Sequence, residues 1–377
     1  MTSPLDPHNR PKRSLLQILK IDPILLLQTC IMTSIGLLIL FSASNMEFIY
    51  IKKQAIHYLL GFAVMLLIPQ IKIKYLKMIG IGTFLACSIL LVLVVFFGTE
   101  HKGAQRWLNI GIIEFQPSEL MKLALPMMMA FYLSKGLMPI KPMQFAIAAI
   151  MILIPTLLII IQPDLGTSIL VASSGVFVIF FAGLSWKIIL LLIGTAGAFL
   201  PIFWEFFMAE YQKQRVMTLF NPELDPLGQG YHTIQAKIAI GSGGLFGKGW
   251  LNGTQTQLEF LPEKHTDFIF AVLAEEFGFM GVLSLLVLFF LLIARILWIA
   301  TKATDIYCKL LAASFGMTMF LYFFINIGMV SGMLPVVGLP LPFLSYGGTS
   351  LLSLFIGLGI VMAIYNKTRQ DDRNSSF

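Results

Sequence analysis

The sequence predicts an all-α, polytopic membrane bundle of about ten transmembrane helices with one large extracytoplasmic loop. Three observations predict it. The composition is 57% hydrophobic and only 12% charged, more apolar surface than a soluble domain of this size can bury. The apolar residues come in blocks of about twenty, the length that crosses a hydrocarbon core of about 30 Å as a helix. Those blocks are continuously apolar, whereas the strands of a membrane barrel alternate outward and inward positions over about ten residues.

Residues 1–22 are polar and basic, contain Pro4, Pro7 and Pro11, and cannot build a core, so they read as a short cytoplasmic tail. A single transmembrane domain over 23–366 follows, with helices expected at 23–43, 50–69, 76–97, 118–134, 143–161, 165–184, 188–208, 268–294, 307–330 and 347–365. Residues 367–377 form a second polar tail. No small-residue cleavage site precedes the first span, which is expected to stay as an anchor. Short connections predict antiparallel neighbours in one bundle, and no repeat of fixed period is visible.

The formal net charge is +7, a balance that can suit nucleic acid, but here the basic residues sit beside the span ends. Arg10, Lys12, Arg13 and Lys20 precede the first span, and Lys72, Lys74 and Lys77 follow the second. Lys135 and Lys141, then Lys187, then Arg295, Lys302 and Lys309, and finally Lys367 and Arg369 occupy every later segment on that side. Both termini are therefore expected in the cytoplasm. Cys30, Cys87 and Cys308 are isolated and offer neither a disulfide framework nor a metal knuckle, so they read as packing residues.

Two outside segments are long, 98–117 and 209–267, and loops of that length are usually functional. Five polar stretches face that side. In the first, Arg106 and Trp107 precede Gln116, Pro117, Ser118, Glu119 and Lys122. Pro117 and Ser118 suit a helix start, and Glu119 and Lys122 share one helical face. A capped helix with an interfacial ion pair and the lining of a functional cavity both account for this pair. In the second, Gln162 to Ser168, a tight turn with Asp164 as cap explains the residues. The third, Arg215 to Trp250, has an amphipathic stretch over Tyr231–Ile240 that suits the membrane surface. Its glycines 241, 243, 244, 247 and 249 read either as flexibility or as a backbone cradle for phosphate oxygens.

The fourth stretch, Leu261 to Ala271, runs a polar cluster straight into an apolar helix, with Asp267 at its mouth. That carboxylate reads as an N-cap or as a general base, with His265 and Glu263 beside it. The spacing requires no metal. The fifth, Gly332 to Gly348, holds Pro335, Pro340 and Pro342 and several glycines, so it cannot be a plain helix and is expected as the lid or floor of a site.

Taken together, QPSE, RVMTLFNPELDPLGQGYH, IGSGGLFGKGW, LPEKHTDFIFAVLAEEFG and LPFLSYGG resemble the SEDS family of shape, elongation, division and sporulation proteins. The resemblance covers nearly the whole chain and departs at no motif position. PVVGLPLP before SYGG and the short N-terminal tail are more similar to the elongation branch than to the division branch.

The resemblance implies a peptidoglycan glycosyltransferase that joins lipid II units outside the cytoplasmic membrane, beside a class B penicillin-binding protein and other elongation proteins. It places the essential carboxylate at Asp267 and a membrane-embedded acidic and basic pair at Glu119 and Lys122. Arg106, Arg215, Gln116, Ser118, His265, Glu263, Lys248 and Ser345 are the further substrate-binding candidates. The expected chemistry is removal of a proton from the acceptor sugar 4-hydroxyl by Asp267 while a lipid pyrophosphate leaves the donor. Arg106, Lys122 or Arg215 would balance the leaving charge, with or without a divalent cation such as Mg2+. Two other readings fit a ten-span chain: a flippase for the lipid-linked precursor, and a non-catalytic scaffold.

Overall fold

A computed structural model describes residues 20–375, except 102–103, 111–112, 137–139, 185–189, 192–193, 196, 199–200, 209, 222–228, 259 and 262. Asp22 caps the first helix by accepting from the amide of Ile24 at 2.9 Å, with Pro23 in its first turn, where a missing N–H costs nothing. The membrane helices that follow are α1 (Pro23–Ala43), α2 (Phe48–Leu67), α3 (Ile73–Phe97), α4 (Pro117–Ser134), α5 (Pro142–Ile161) and α6 (Leu165–Phe181). The outer segment contributes α7 (Glu210–Phe220), α8 (Gln229–Ser242) and the single turn α9 (Thr254–Gln257). Helices α10 (Ile269–Lys302), α11 (Ile306–Val330) and α12 (Thr349–Ser375) complete the bundle.

Seven described helices, α1 to α3, α5 and α10 to α12, are long and apolar enough to cross a membrane. Helix α4 carries Glu119 and Lys122 and α6 is shorter, so nine of the ten expected spans have a helix of their own. The expected span 188–208 falls partly outside the described residues. Three features add to these expectations. A small antiparallel sheet of β1 (Thr99–His101), β2 (Ala104–Ile110) and β3 (Ile113–Phe115) interrupts the otherwise helical chain between α3 and α4. The stretch over Tyr231–Ile240 lies within α8, which packs on α10 with Ala236 and Ala239 buried. The polar C-terminus continues α12 as helix to Ser375.

Helix α11 is the packing centre, in contact with α4, α6, α10 and α12. Lipid offers no hydrophobic drive between helices, so close fit must supply the attraction. The fit is visible where Phe355 of α12 lies against Gly61 of α2, in space that any Cβ at 61 would occupy.

At the end of the bundle holding Lys20 and the C-terminal turns, ion pairs tie the helices together. Arg295 reaches Asp22 at 2.9 Å, and Lys77 and Lys367 reach the same Asp305 oxygen at 2.8 and 2.7 Å. Burial pushes the Asp305 carboxyl up, but the hydrogen bonds and charges of Lys367 and Lys77 outweigh it and hold it below its ordinary value. Its other oxygen caps α11 by accepting from the Tyr307 amide at 2.9 Å.

The opposite end is organised around a break in α10. Gly278 has φ 62° and ψ −161°, so the amides of Phe279 and Met280 cannot reach the carbonyls of Glu275 and Glu276, their partners in a continuous helix. The glycine-rich segment takes all four groups. Phe279 and Met280 donate to Gly244 and Leu245 at 2.9 and 3.1 Å, while Lys248 and Gly249 donate to Glu275 and Glu276 at 3.0 Å each. Gly247 has φ 80°, and a Cβ there would lie 2.1 Å from the Glu276 carbonyl oxygen.

Two outcomes test this framework. Gly247→Ala is expected to cost at least about 2 kcal/mol, read as a lower unfolding temperature in detergent, whereas Gly241→Ala, whose Cβ would meet nothing within 4 Å, is expected to be neutral. Asp305→Asn keeps the cap and removes the charge. A depressed folded-state value means that the Asp305 contribution is present above the unfolded value and lost as pH falls through the folded one. The variant is therefore expected to unfold earlier at neutral pH, and the gap should close below about pH 4.

Candidate active site

The segment between α11 and α12 forms the floor of a mouth at the Gly278 end of the bundle. Three prolines deny it helical hydrogen bonds, so its carbonyls are satisfied by side chains from other elements. Arg215 of α7 donates to Val336 at 3.1 Å, Tyr58 of α2 to Phe343 at 2.5 Å, and Gln54 to Ser345 at 3.1 Å. Asn326, fully buried in α11, donates through Nδ2 to the carbonyls of both Leu339 (2.6 Å) and Asp267 (3.0 Å). One amide thus joins the floor to the turn that carries the candidate base.

That turn is braced from several directions. Ser345 donates to the Thr266 carbonyl at 2.6 Å and accepts from Leu341, while the Tyr346 amide donates to the His265 carbonyl at 2.8 Å. Lys264 is buried and donates to Asn45 (2.7 Å) and to the Thr256 carbonyl (2.8 Å). Asp267 is left half-buried at the mouth of α10. Its Oδ2 lies 3.7 Å from where a Cβ would stand on Gly338, a residue at φ 74°. Glycine at 338 leaves that contact position without a side chain.

Below the mouth, Glu119 and Lys122 meet in the first turn of α4, with 2.7 Å between Oε2 and Nζ and both side chains buried. The ammonium makes no directed hydrogen bond. It lies 4.7 Å above the ring centroid of Tyr322 of α11, and Ser353 of α12 approaches Glu119 at 3.5 Å. Tyr322 is buried, hydrogen-bonds Ser350 and stands within electrostatic reach of Glu119, Asp267 and Asp164. Tyr322 thus stands within reach of both the buried pair and the candidate base.

Two sequence stretches 48 residues apart merge into one cluster beside this pair. Gln116 donates to Asp164 at 2.9 Å. Arg106 donates to the carbonyls of Gln162 and Pro163, and its Nη1 lies 3.8 Å from Asp164 Oδ1. Asp164 also caps α6 at the Thr167 amide, as the turn reading expected.

Several candidates serve elsewhere. Lys248 pairs with the fully buried Glu275 at 2.8 Å, and the amides of Gly247, Lys248 and Gly249 go to protein carbonyls. The glycines thus permit helix contact and do not cradle phosphate. Ser345 spends its hydroxyl as a brace. His265 stacks on Tyr50 with centroids 5.2 Å apart, and Glu263 is exposed and accepts from Thr266 at 3.0 Å. The three side chains of this turn meet different neighbours. Ser118 is buried in the first turn of α4.

The sequence reading missed Asn326, Tyr322 and Glu275. An asparagine inside the apolar block 307–330 was a usable signal, since polar groups at membrane depth carry a cost. Glu275 accepts from Lys248, Thr254, Gln255 and Thr256, and thereby fixes the strap that holds Lys264.

Comparison with known proteins agrees with this geometry. Residues 22–370 match the model of a cell cycle protein family that unites FtsW, RodA and SpoVE. The chain is 50% identical to the peptidoglycan glycosyltransferase MrdB of Escherichia coli K12, over 95% of this chain and 96% of that one. It is 34% identical to a probable peptidoglycan glycosyltransferase FtsW of Geobacter metallireducens, over 95% and 98%. A solved structure described as the structural coordination of polymerization and crosslinking by a peptidoglycan synthase complex superposes with a TM-score of 0.81, at 32% identity over 93% of this chain and 99% of that one. The rod shape determining protein RodA of Thermus thermophilus gives 0.70, at 29% identity over 93% and 98%. This chain belongs to the FtsW, RodA and SpoVE family of cell cycle proteins.

Proposed function

We propose that this protein is a peptidoglycan glycosyltransferase of cell elongation, polymerising lipid II into glycan strands at the outer face of the cytoplasmic membrane, with Asp267 as general base. The observation that carries the reading is the half-buried Asp267 carboxylate, its turn braced at the mouth of the bundle, with Tyr322 within reach of both it and the Glu119 and Lys122 pair. The names of the relatives support the reaction class. The 50% identity with MrdB against 34% with FtsW supports the elongation branch.

Asp267 takes the proton of the acceptor 4-hydroxyl as its oxygen bonds to the donor anomeric carbon. The bond from that carbon to the pyrophosphate oxygen breaks, and the polyprenyl diphosphate leaves with the electron pair. Attack opposite the leaving group inverts the anomeric centre. Arg215 and Arg106, both half-buried at the mouth, and Lys122 beneath it balance the departing charge. Among the described residues no three metal-ligating side chains cluster. A divalent cation such as Mg2+ would be held by Asp267 or Glu119 together with the substrate's own pyrophosphate oxygens. The likeness to a synthase complex of polymerization and crosslinking supports a class B penicillin-binding protein as partner.

Polymerisation of purified lipid II with that partner tests the base. Asp267→Asn is expected to lower glycan synthesis by about 10²- to 10⁴-fold at an unchanged unfolding temperature, and equal product from both proteins would overturn the assignment. A double-mutant cycle tests the buried pair. Glu119→Gln and Lys122→Met should each cost about 3–5 kcal/mol, because each leaves a charge or polar group buried alone. The double variant should regain most of that stability but no activity; recovery of both would reduce the pair to a structural role.

A further inference from the structure

At the opposite end of the bundle from Asp267, a cleft of about 450 Å³ opens between the start of α3, the end of α12 and the turn before α1. Five lysines and two aspartates line it, a surplus of three positive charges. Asp305 is consumed by Lys77 and Lys367, and Asp371 accepts from Thr304 at 2.7 Å. Among the described residues Lys20, Lys72 and Lys74 enter no ion pair; Lys20 comes from the turn before α1 and Lys72 and Lys74 from the start of α3, and all three line one space. The backbone that carries them is held in place. Asn366 of α12 hydrogen-bonds the Lys20 carbonyl, and Lys72 supplies the carbonyl that starts α3, accepting from Tyr75 at 2.9 Å.

The cleft lies between the turn after α2, the start of α3 and the last turns of α12, where apolar helices give way to basic residues, the depth of lipid headgroups. Beside the lysines it is lined by Pro69, Ile71, Ile73 and Ala363, and Tyr75, on the first turn of α3, is exposed, as interfacial aromatics are. A ligand that satisfies both surfaces carries an anionic phosphate on an apolar tail. Basic residues stand beside every connection at this end, but here three lysines with no ion pair among the described residues share one cavity with two paired ones.

We propose that this cleft is a binding site for the phosphodiester headgroup of an anionic membrane lipid, held by Lys20, Lys72 and Lys74. The bound phosphate would join the ends of α1, α3 and α12 by supplying the charge that Asp305 and Asp371 leave unmatched.

The test uses the full chain purified in neutral detergent, with retention of dioleoylphosphatidylglycerol followed by native mass spectrometry and by the unfolding temperature. Wild type is expected to retain this lipid and be stabilised by it, and to respond to neither dioleoylphosphatidylcholine nor millimolar inorganic phosphate. The combined Lys20→Gln, Lys72→Gln and Lys74→Gln variant should lose about 10- to 100-fold in apparent affinity, and the corresponding triple arginine variant should keep it. A control variant, Lys135→Gln, Lys141→Gln and Lys309→Gln, removes the same charge at the same end outside the cleft and should bind as wild type. Equal losses in the two glutamine variants, or equal retention of phosphatidylcholine, would overturn the site. Displacement of the lipid by inorganic phosphate would assign the cleft to a free anion instead. If the glutamine variant unfolds earlier than wild type in lipid-free detergent, the arginine variant decides: loss of retention there also overturns the proposal.

Discussion

Every backbone amide and carbonyl inside a bilayer must find its partner within the protein, because no water is present to take that place. The half of this molecule that carries Asp267 is an answer to that constraint at two positions where helix cannot continue. At Gly278 the helix α10 opens, and the segment around Gly243 to Gly249 supplies backbone partners for all four groups of the two interrupted bonds. Between α11 and α12 the prolines and glycines expose carbonyls that Asn326, Tyr58, Gln54 and Arg215 satisfy. At both positions other parts of the protein fix the shape of the irregular backbone. The turn bearing Asp267 is pinned between these two repairs: Asn326 and Ser345 hold it from the floor, and Lys264 holds it from the strap fixed by Glu275.

Charge follows the same logic. The Glu119 and Lys122, Glu275 and Lys248, and Arg106 and Asp164 pairs sit on the outer half, and Arg295 with Asp22 and Asp305 with two lysines sit at the other end. A buried ion pair adds little net stability once desolvation is subtracted, but breaking one is expensive. Most of these pairs join residues far apart in sequence, so they select one register among helices whose apolar faces would tolerate many. The exception is Glu119 with Lys122, neighbours on a single turn. Their ion pair joins no two helices, but Lys122 lies over Tyr322 of α11 and Glu119 meets Ser353 of α12.

A glycosyl transfer from a polyprenyl diphosphate needs one site that is apolar on one side and wet on the other. Apolar helices below and a polar mouth above meet that need. Asp267 sits half-buried at that boundary. Catalysis through electrostatic preorganisation requires donors and charges that do not move when charge develops, and the bracing of this turn supplies that rigidity.

Much of this was legible in the sequence. Apolar block length carries the helical fold and its order, because lipid imposes a length rule on each segment separately. The positions of Asp267, of Glu119 with Lys122, and of the Asp164 cap were readable for the same reason: each is a local exception to an apolar pattern. What only the tertiary structure decided is which distant residues meet. Arg106 with Asp164, Asn326 with Leu339 and Asp267, and Lys248 with Glu275 are pairings that no local period encodes. The glycine-rich run shows the limit most clearly. Glycine permits close backbone approach equally to a phosphate or to another helix, and only the break at Gly278, packed against Gly247, settles which.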